Sequence, residues 1–259
     1  MYSVIVCIAK KEHDYIEEFV KYHLAIGFNL IYVYDNEDTP TYETMLHKYK
    51  NHVKVIHLPF NNYKKPVQYV ALNHFVKKYL FETDITHVAH IDIDEFIVLK
   101  KHENIGDFIN EYIVGDCQGI GINWRFFGSS GRTEKTNEPN TIRFTMCEKN
   151  GNVHIKTLFK KDNFLRFYDC HSVKFSSGYT KSTNNAIING PFNYNIDFDV
   201  VQLNHYKCKT LPEFRYIRTR QRADIIGDTH ENVDHNFQIY NINETEDLYA
   251  YNFYKKIAD

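Results

Sequence analysis

Four apolar runs, each followed by a polar or helical-period segment, dictate most of what this chain can fold into. Residues 3–9, Ser-Val-Ile-Val-Cys-Ile-Ala, do not alternate apolar with polar, the pattern of a strand covered on both faces. Ile16, Phe19, Val20, His23 and Leu24 follow at helical spacing and end at Gly27, a natural helix stop. Residues 30–34 give a second strand closed by Asp35-Asn36, and a polar helix near 41–50 leads into a third strand over 53–58. Pro66 opens a helix reaching to about residue 82, and 86–91 form a fourth strand. Strands that alternate with helices imply an α/β fold with a Rossmann-like, doubly wound and mostly parallel sheet. Such sheets bind ligands at the carboxyl ends of their strands. Asp35-Asn36 and the acidic run 92–95 both fall at such ends.

The second half is less regular. A helix near 105–114 precedes strand signals at 118–124, 141–147, 153–160 and 200–204, separated by polar loops at 128–139 and 176–191. A helical pattern covers 211–225, and an aromatic one covers 248–257. No internal repeat or Pro-rich linker breaks the chain, so one domain over 1–259 is expected. Residues 1–100 would form its ligand-binding half and 101–259 an irregular second half.

Composition narrows the classes of function. A formal charge of −2 gives no electrostatic case for a nucleic-acid partner. The five cysteines are odd in number, scattered and without C-x-x-C spacing. That argues against a zinc cluster or a disulfide framework and fits reduced thiols in the cytoplasm. No apolar run approaches the roughly 20 residues of a membrane span, and no signal-peptide pattern is present. The expectation is a chain with no transmembrane segment and at most peripheral membrane contact. Tyr and Phe number 20 and 19 against one Trp; tyrosine suits sugar clefts and plain packing alike.

The strongest chemical signal is Ile91-Asp92-Ile93-Asp94-Glu95-Phe96. Three carboxylates in four residues repel one another unless a cation or hydrogen bonds offset them. Hard cations such as Mn2+ and Mg2+ take carboxylate oxygens together with phosphates. Alternate residues of an extended segment face one way, so Asp92 and Asp94 can meet one ion while Glu95 turns elsewhere. The plainer alternative is an acidic loop capping the next element. Asp35 suits the ribose or base of a nucleotide, or else an Asx turn with Asn36. Gln68 and Asn73 lie in the helix opened by Pro66, whose start, with Lys64 and Lys65, could face a diphosphate or plain solvent. Trp124, followed by the turn Gly128-Ser129-Ser130-Gly131, could wall a sugar site or simply pack in the core. Asn204-His205-Tyr206 follows a strand signal, and a neutral His205 could complete a metal shell or be a structural histidine. Arg215, Arg218 and Arg222 share a helical face that could clamp a diphosphate or form a solvated basic surface.

Together these motifs resemble glycosyltransferase family 92 and the related bacterial family-2-like transferases, over residues 3–224. Cys7-Ile8-Ala9-Lys10-Lys11-Glu12 resembles C-x-x-K-N-E, with lysine in place of asparagine at Lys11. His23 and Gly27 match H-x-x-x-G, and Tyr34-Asp35-Asn36 matches Y-D-N. Gln68 and Ala71-Leu72-Asn73, the D-x-D-E-F segment 92–96, and Trp124 with 127–131 (W-x-x-F-G-S-S-G) follow in order. Lys156-Thr157 is similar to a K-[ST] pair, and 204–214 to N-H-Y-x-x-K-[ST]-x-x-E-F. The closing K-x-R-G reads Arg218-Thr219-Arg220-Gln221 here, without its glycine. The resemblance implies a GT-A fold, a nucleotide-sugar donor, an acceptor glycan or glycoconjugate, a divalent ion, and inversion at the anomeric carbon. It implies donor contacts at Ala9, Lys10, Glu12, Asp35, Gln68, Asn73, Asp92, Ile93 and Arg218. Asp92, Asp94 and His205 would hold the metal, and Trp124, Gly128 and Ser129 would meet the acceptor. The general base stays open among Asp169, His171 and Glu95. A nucleotidyltransferase is the nearest rival, although Lys10-Lys11-Glu12 offers no Gly-rich phosphate loop. A glycan-binding protein without turnover is the other.

Overall fold

The computed structural model describes residues 1–59, 65–220, 222–223 and 232–258. The first apolar run becomes β1 (Ser3–Ala9), buried at every position but Ile8. On one side it pairs in parallel with β2 (Leu30–Asp35), beyond which β3 (Val53–His57) runs parallel again; on the other side it pairs in parallel with β4 (His87–His90). The crossovers carry α1 (Ile16–Ala25), the short α2 (Tyr42–Met45) and α3 (Val67–Phe75). Alternate residues of β1 supply opposite faces of the sheet. Ile5 and Cys7 join Phe19 and Val20 of α1 in one core, while Val4 and Val6 join Ala71 and Phe75 of α3 in the other. Each fully buried Ile, Val or Phe among these stabilises the fold by about 1.5–3 kcal/mol.

His23 and Gly27 have structural duties here. The Nδ1 of His23 lies 2.8 Å from the Phe19 carbonyl, and its Nε2 accepts the Ile97 N–H at 3.3 Å. Burial lowers the pKa of this imidazole to about 3. Gly27 has φ +104°, where a side chain would be strained.

The rest of the chain extends this sheet and, among the described residues, adds two separate two-stranded sheets. In chain order it contributes β5 (Glu95–Leu99), α4 (Ile105–Tyr112), the ten-residue β6 (Cys117–Phe126), α5 (Asn140–Arg143), β7 (Met146–Cys147) and β8 (Ile155–Lys160). Then come β9 (Phe164–Phe167), β10 (Val173–Phe175), β11 (Tyr179–Lys181), β12 (Ile187–Ile188) and β13 (Val201–His205). The chain ends with α6 (Leu211–Arg218), α7 (Val233–Tyr240), β14 (Thr245–Glu246) and α8 (Tyr249–Ala258). The strand order is β12-β11-β6-β8-β4-β1-β2-β3. β8 enters antiparallel between β4 and β6. β13 runs antiparallel to β5 and parallel to β6.

Several expected elements differ. The 141–147 strand is instead the turn of helix α5 followed by the two-residue β7. The carboxylate of Glu18 accepts the N–H groups of Asn140 and Thr141 and the Thr141 hydroxyl, capping that turn from α1. The helix after Pro66 passes into a π-helical turn at Val76–Leu80. The 41–50 helix is only α2 and a 3-10 turn, His47–Tyr49. β5 begins at Glu95, inside what reads as an acidic loop.

Candidate active site

The segment between β4 and β5 alternates: Ile91 and Ile93 point into the core, while Asp92 and Asp94 face outward. The two isoleucines anchor the backbone, and the pleat therefore aims both aspartates into one cleft. Glu95 N–H donates to the Asp92 carbonyl at 3.0 Å, and Tyr206 N–H donates to the Asp94 carbonyl at 2.8 Å. In the β5–β13 ladder His205 sits directly opposite Glu95. Its Nε2 consequently comes 3.5 Å from Asp94 Oδ2, with both side chains largely buried. Burial alone would raise the Asp94 carboxyl, but His205, Lys209 and Arg220 hold it well below the usual carboxylate range. Burial lowers the His205 imidazole, and the facing Asp94 carboxylate opposes that effect.

Asp92 is held differently. Its Oδ2 lies 3.0 Å from the Nζ of Lys156, a buried side chain near the start of β8, and this cation outweighs burial to lower the Asp92 carboxyl. Lys156 also lies 3.6 Å from Glu95. Glu95 is fully buried, accepts the Asp92 N–H at 2.8 Å, and has its carboxyl pushed well up by burial.

The cleft they border has a volume of about 310 Å³. Asp92, Ile93 and Asp94 line it with Ile8 and Asn36, as do Trp124, His171 and His205. Lys10, Lys207, Arg218, Arg220 and Arg222 bring positive charge to it. Arg220 Nη1 donates to Glu12 Oε1 and to the Lys10 carbonyl, each at 2.5 Å, tying the segment after α6 to the loop after β1. The N–H of Gln68, which also lines the cleft, donates to the Ala223 carbonyl at 3.0 Å, tying the same segment to the start of α3. Cations concentrated in a low-dielectric cleft favour a polyanionic ligand.

Of the expected donor contacts, Lys10, Glu12, Gln68, Asp92, Ile93 and Arg218 line this cleft. Three do not. Asp35 is fully buried; its carboxylate accepts the N–H groups of Glu37 at 3.0 Å, Thr41 at 2.7 Å and Tyr42 at 3.0 Å, so its side chain builds a turn and Asn36 faces the cleft instead. Ala9 is fully buried in the sheet. Asn73 donates to the Tyr69 carbonyl at 2.8 Å on α3 itself. Arg215 pairs with Asp234 at 2.6 Å on the exposed side of α6, away from Arg218. Lys65 lies over the Tyr69 ring, whereas Lys64 and Gln221 fall outside the described residues.

The expected acceptor turn is also redirected. Gly128 packs so closely on residues 242–243 that an added Cβ would lie 2.4 Å from the Ile242 carbonyl oxygen, and Ser129 N–H donates to Asn241 Oδ1 at 2.8 Å. Neither lines the cleft. Trp124 does, but it is 8% exposed, with the ring of His154 stacked on it at 5.0 Å and that of His205 edge-on at 4.5 Å. Among the three candidate bases, Glu95 is sealed in the core and Asp169 Oδ1 accepts the N–H groups of His171 and Ser172, each at 2.7 Å. His171 alone of these three lines the cleft. Its Nδ1 lies 2.9 Å from the Ile155 carbonyl, which can only accept, so Nδ1 carries the proton and Nε2 a lone pair. Burial, together with Lys156, lowers this imidazole to about 4.

The sequence reading gave Lys156 no role beyond its place in a motif. Its bond to Asp92 spans 64 residues, a separation for which no local pattern gives a signal.

A mostly parallel α/β sheet, with an acidic corner and cationic side chains meeting in one cleft, is the architecture of a GT-A-like fold. The model of glycosyltransferase family 92 matches residues 2–244, and the chain belongs to that family. No curated protein matches it. Among solved structures it is similar to HddC from Yersinia pseudotuberculosis, with 11% identity, 73% of this chain and 93% of that chain covered, and a TM-score of 0.39. It is also similar to UDP-glucose pyrophosphorylase complexed with UDP-glucose, with 13% identity, 63% and 70% covered, and a TM-score of 0.29. Among the described residues no helix is long and apolar enough to cross a membrane.

Proposed function

We propose that this glycosyltransferase moves a hexose, galactose or another, from a nucleoside diphosphate sugar, UDP-linked by expectation, to a hydroxyl of an acceptor glycan, with inversion. The observation that carries the reading is the pairing, across one cleft, of Asp94 and His205 with the cations Lys10, Arg218 and Arg220. A nucleotidyltransferase is not favoured by the family.

The residues fit a divalent cation in part. A carboxylate and a buried imidazole face each other at 3.5 Å, and His205 Nδ1 is buried without a partner. Among the described residues no group of three or more His, Cys, Asp or Glu side chains is arranged to hold a metal ion. Asp94 and His205 would be the residues to hold Mn2+ or Mg2+, and Asp92, drawn to Lys156, would contribute less. Such an ion supplies neutralisation of the charge that develops on a departing diphosphate. The chain's own residues do the rest. Lys10, Arg218 and Arg220 bind and orient the diphosphate. Asp92, its Oδ2 fixed by Lys156, presents its other oxygen for a hydroxyl hydrogen bond. His171 Nε2 accepts the acceptor's proton as the acceptor oxygen bonds to the anomeric carbon and the bond from that carbon to the diphosphate oxygen breaks.

The test is Asp94→Ala and His171→Gln, each assayed for hydrolysis of UDP-galactose and UDP-glucose and for UDP binding with and without Mn2+. Asp94→Ala should abolish the Mn2+-dependent part of UDP binding, and His171→Gln should spare binding while lowering hydrolysis of the donor about 10²-fold or more. Unchanged Mn2+-dependent binding by Asp94→Ala would overturn the cation assignment.

A further inference from the structure

The ring contacts around Trp124 do not stop at the cleft. His154 stacks on Trp124 at 5.0 Å, Phe192 meets His154 edge-on at 4.8 Å, and Tyr194 lies 6.4 Å from Phe192. Trp124 lines the cleft, while Phe192 and Tyr194 are 39% and 80% exposed. The result is a ladder of four rings leading from the candidate active site to the surface.

The outer rungs are held firmly. Ile155 N–H donates to the Pro191 carbonyl at 3.1 Å, and Asn193 N–H donates to the Val153 carbonyl at 2.8 Å. His154 and Phe192 form an isolated antiparallel bridge. Between the two exposed rings, Asn193 is buried and exchanges hydrogen bonds with Asn123: Asn193 Nδ2 donates to Asn123 Oδ1 at 2.7 Å, and Asn123 Nδ2 donates to the Asn193 carbonyl at 3.0 Å. Asn193 Nδ2 also reaches the Asn195 carbonyl at 3.0 Å. Asn195 N–H donates back to Asn193 Oδ1 at 3.1 Å, so Asn193 is pinned inward in a turn while Phe192 and Tyr194 on either side of it stay exposed. A buried amide clasp thus holds two large aromatic rings in water, where burial in the core would have been the favourable use of them. The same segment carries neutral amides and carbonyls, Asn193 and Asn195 flanking Tyr194 in the chain and Asn184 Nδ2 donating to the Asn195 carbonyl at 3.2 Å. Aromatic faces beside neutral hydrogen-bonding groups suit a pyranose, which offers C–H groups on its face and hydroxyls at its rim; they do not select a charged partner.

We infer that Phe192 and Tyr194 form an outer acceptor subsite that takes the second and later sugars of an oligosaccharide whose terminal residue enters the cleft. This rests on the transferase reading above and adds that the acceptor is a neutral glycan of two or more residues, gripped remotely from the reacting hydroxyl.

The probe is a printed array of defined neutral mono- to hexasaccharides, overlaid with fluorescently labelled wild type, Phe192→Ala and Tyr194→Ala. Both substitutions are at exposed positions, and melting curves check the fold. In parallel, the fluorescence of the single tryptophan, Trp124, follows UDP binding with Mn2+. Wild type should bind some oligosaccharides more strongly than their terminal monosaccharide. Each variant should lose about five- to tenfold of that binding, the effect of one stacking contact, with UDP binding unchanged. Equal binding by wild type and both variants, or no glycan binding by any of them, overturns the subsite while intact UDP binding leaves the transferase reading standing. Flotation of wild type but not Tyr194→Ala with phosphatidylglycerol vesicles, without glycan binding, assigns the rings to a membrane and overturns it too. Loss of UDP binding in wild type would instead strike the transferase reading itself.

Discussion

Glu213 belongs to the E-F pair of the sequence pattern, and the structure gives it a stabilising duty that can be measured. Its carboxylate is 2% exposed and receives Arg143, 1% exposed, through two parallel bonds of 2.7 and 3.0 Å. Tyr15 hydroxyl donates to it at 2.9 Å, and the Thr210 N–H and hydroxyl donate to its other oxygen, forming the capping box of α6. Three distant segments, after β1, at α5 and at α6, therefore meet on one side chain. Glu213→Gln keeps the shape and part of the cap but strands the Arg143 guanidinium, which cannot shed its proton. An uncompensated buried charge of this kind costs about 3–5 kcal/mol. For a chain of this size that is a fall in Tm of roughly 6–20 °C, at 2–4 °C per kcal/mol. The neutral double variant Glu213→Gln with Arg143→Met removes the stranded charge and should recover most of the loss, giving a coupling of about 2–3 kcal/mol in urea unfolding. The sign with pH follows from the direction of the shift. Burial would raise the Glu213 carboxyl, but the bonds from Arg143, Thr210 and Tyr15 hold it below its ordinary value. Its contribution is thus complete above about pH 4.5 and lost as pH falls through the lowered folded-state value. The wild-type advantage over Glu213→Gln should shrink only at acid pH. A loss under about 1 kcal/mol at pH 7, or a double variant no more stable than the single, refutes the reasoning.

Other substitutions separate structural from ligand-binding roles. Gly128→Ala would place a Cβ 2.4 Å from the Ile242 carbonyl oxygen, so it should cost about 1–3 kcal/mol in urea unfolding while UDP binding stays normal; a folded variant of wild-type stability would contradict the packing. Lys11 sits at φ +57°, where asparagine is better tolerated; Lys11→Asn should add about 0.5–1 kcal/mol, seen as a rise in melting temperature, and a fall would contradict it. His23 should stay neutral far below its ordinary range, its imidazole NMR shift unchanged from pH 7.5 to 5, because burial lowers it to about 3. Being depressed, it contributes stability that is whole above pH 6.5 and lost towards pH 3, about 2 kcal/mol of it by pH 5.

What was legible in the chain follows from the range of the forces involved. The parallel half could be read because strands covered on both faces must be apolar throughout, as β1 is. The acidic corner could be read because the same pleat that buries Ile91 and Ile93 turns Asp92 and Asp94 outward. Where the deciding partner is remote, the local pattern pointed elsewhere. Residues 140–143 turn into a helix because Glu18, 122 residues away, accepts their first N–H groups. Asp92 and Asp94 look equivalent in the chain, yet Lys156 draws one and His205 faces the other. That division has a consequence for the site. A lysine buried against two carboxylates offsets their charge permanently, so Asp94 can face His205 and the cleft without a second full negative charge beside it. Three acids in four residues are tolerable here because one is paired to an internal cation and another, Glu95, is turned into the core. The third, Asp94, remains for the ligand.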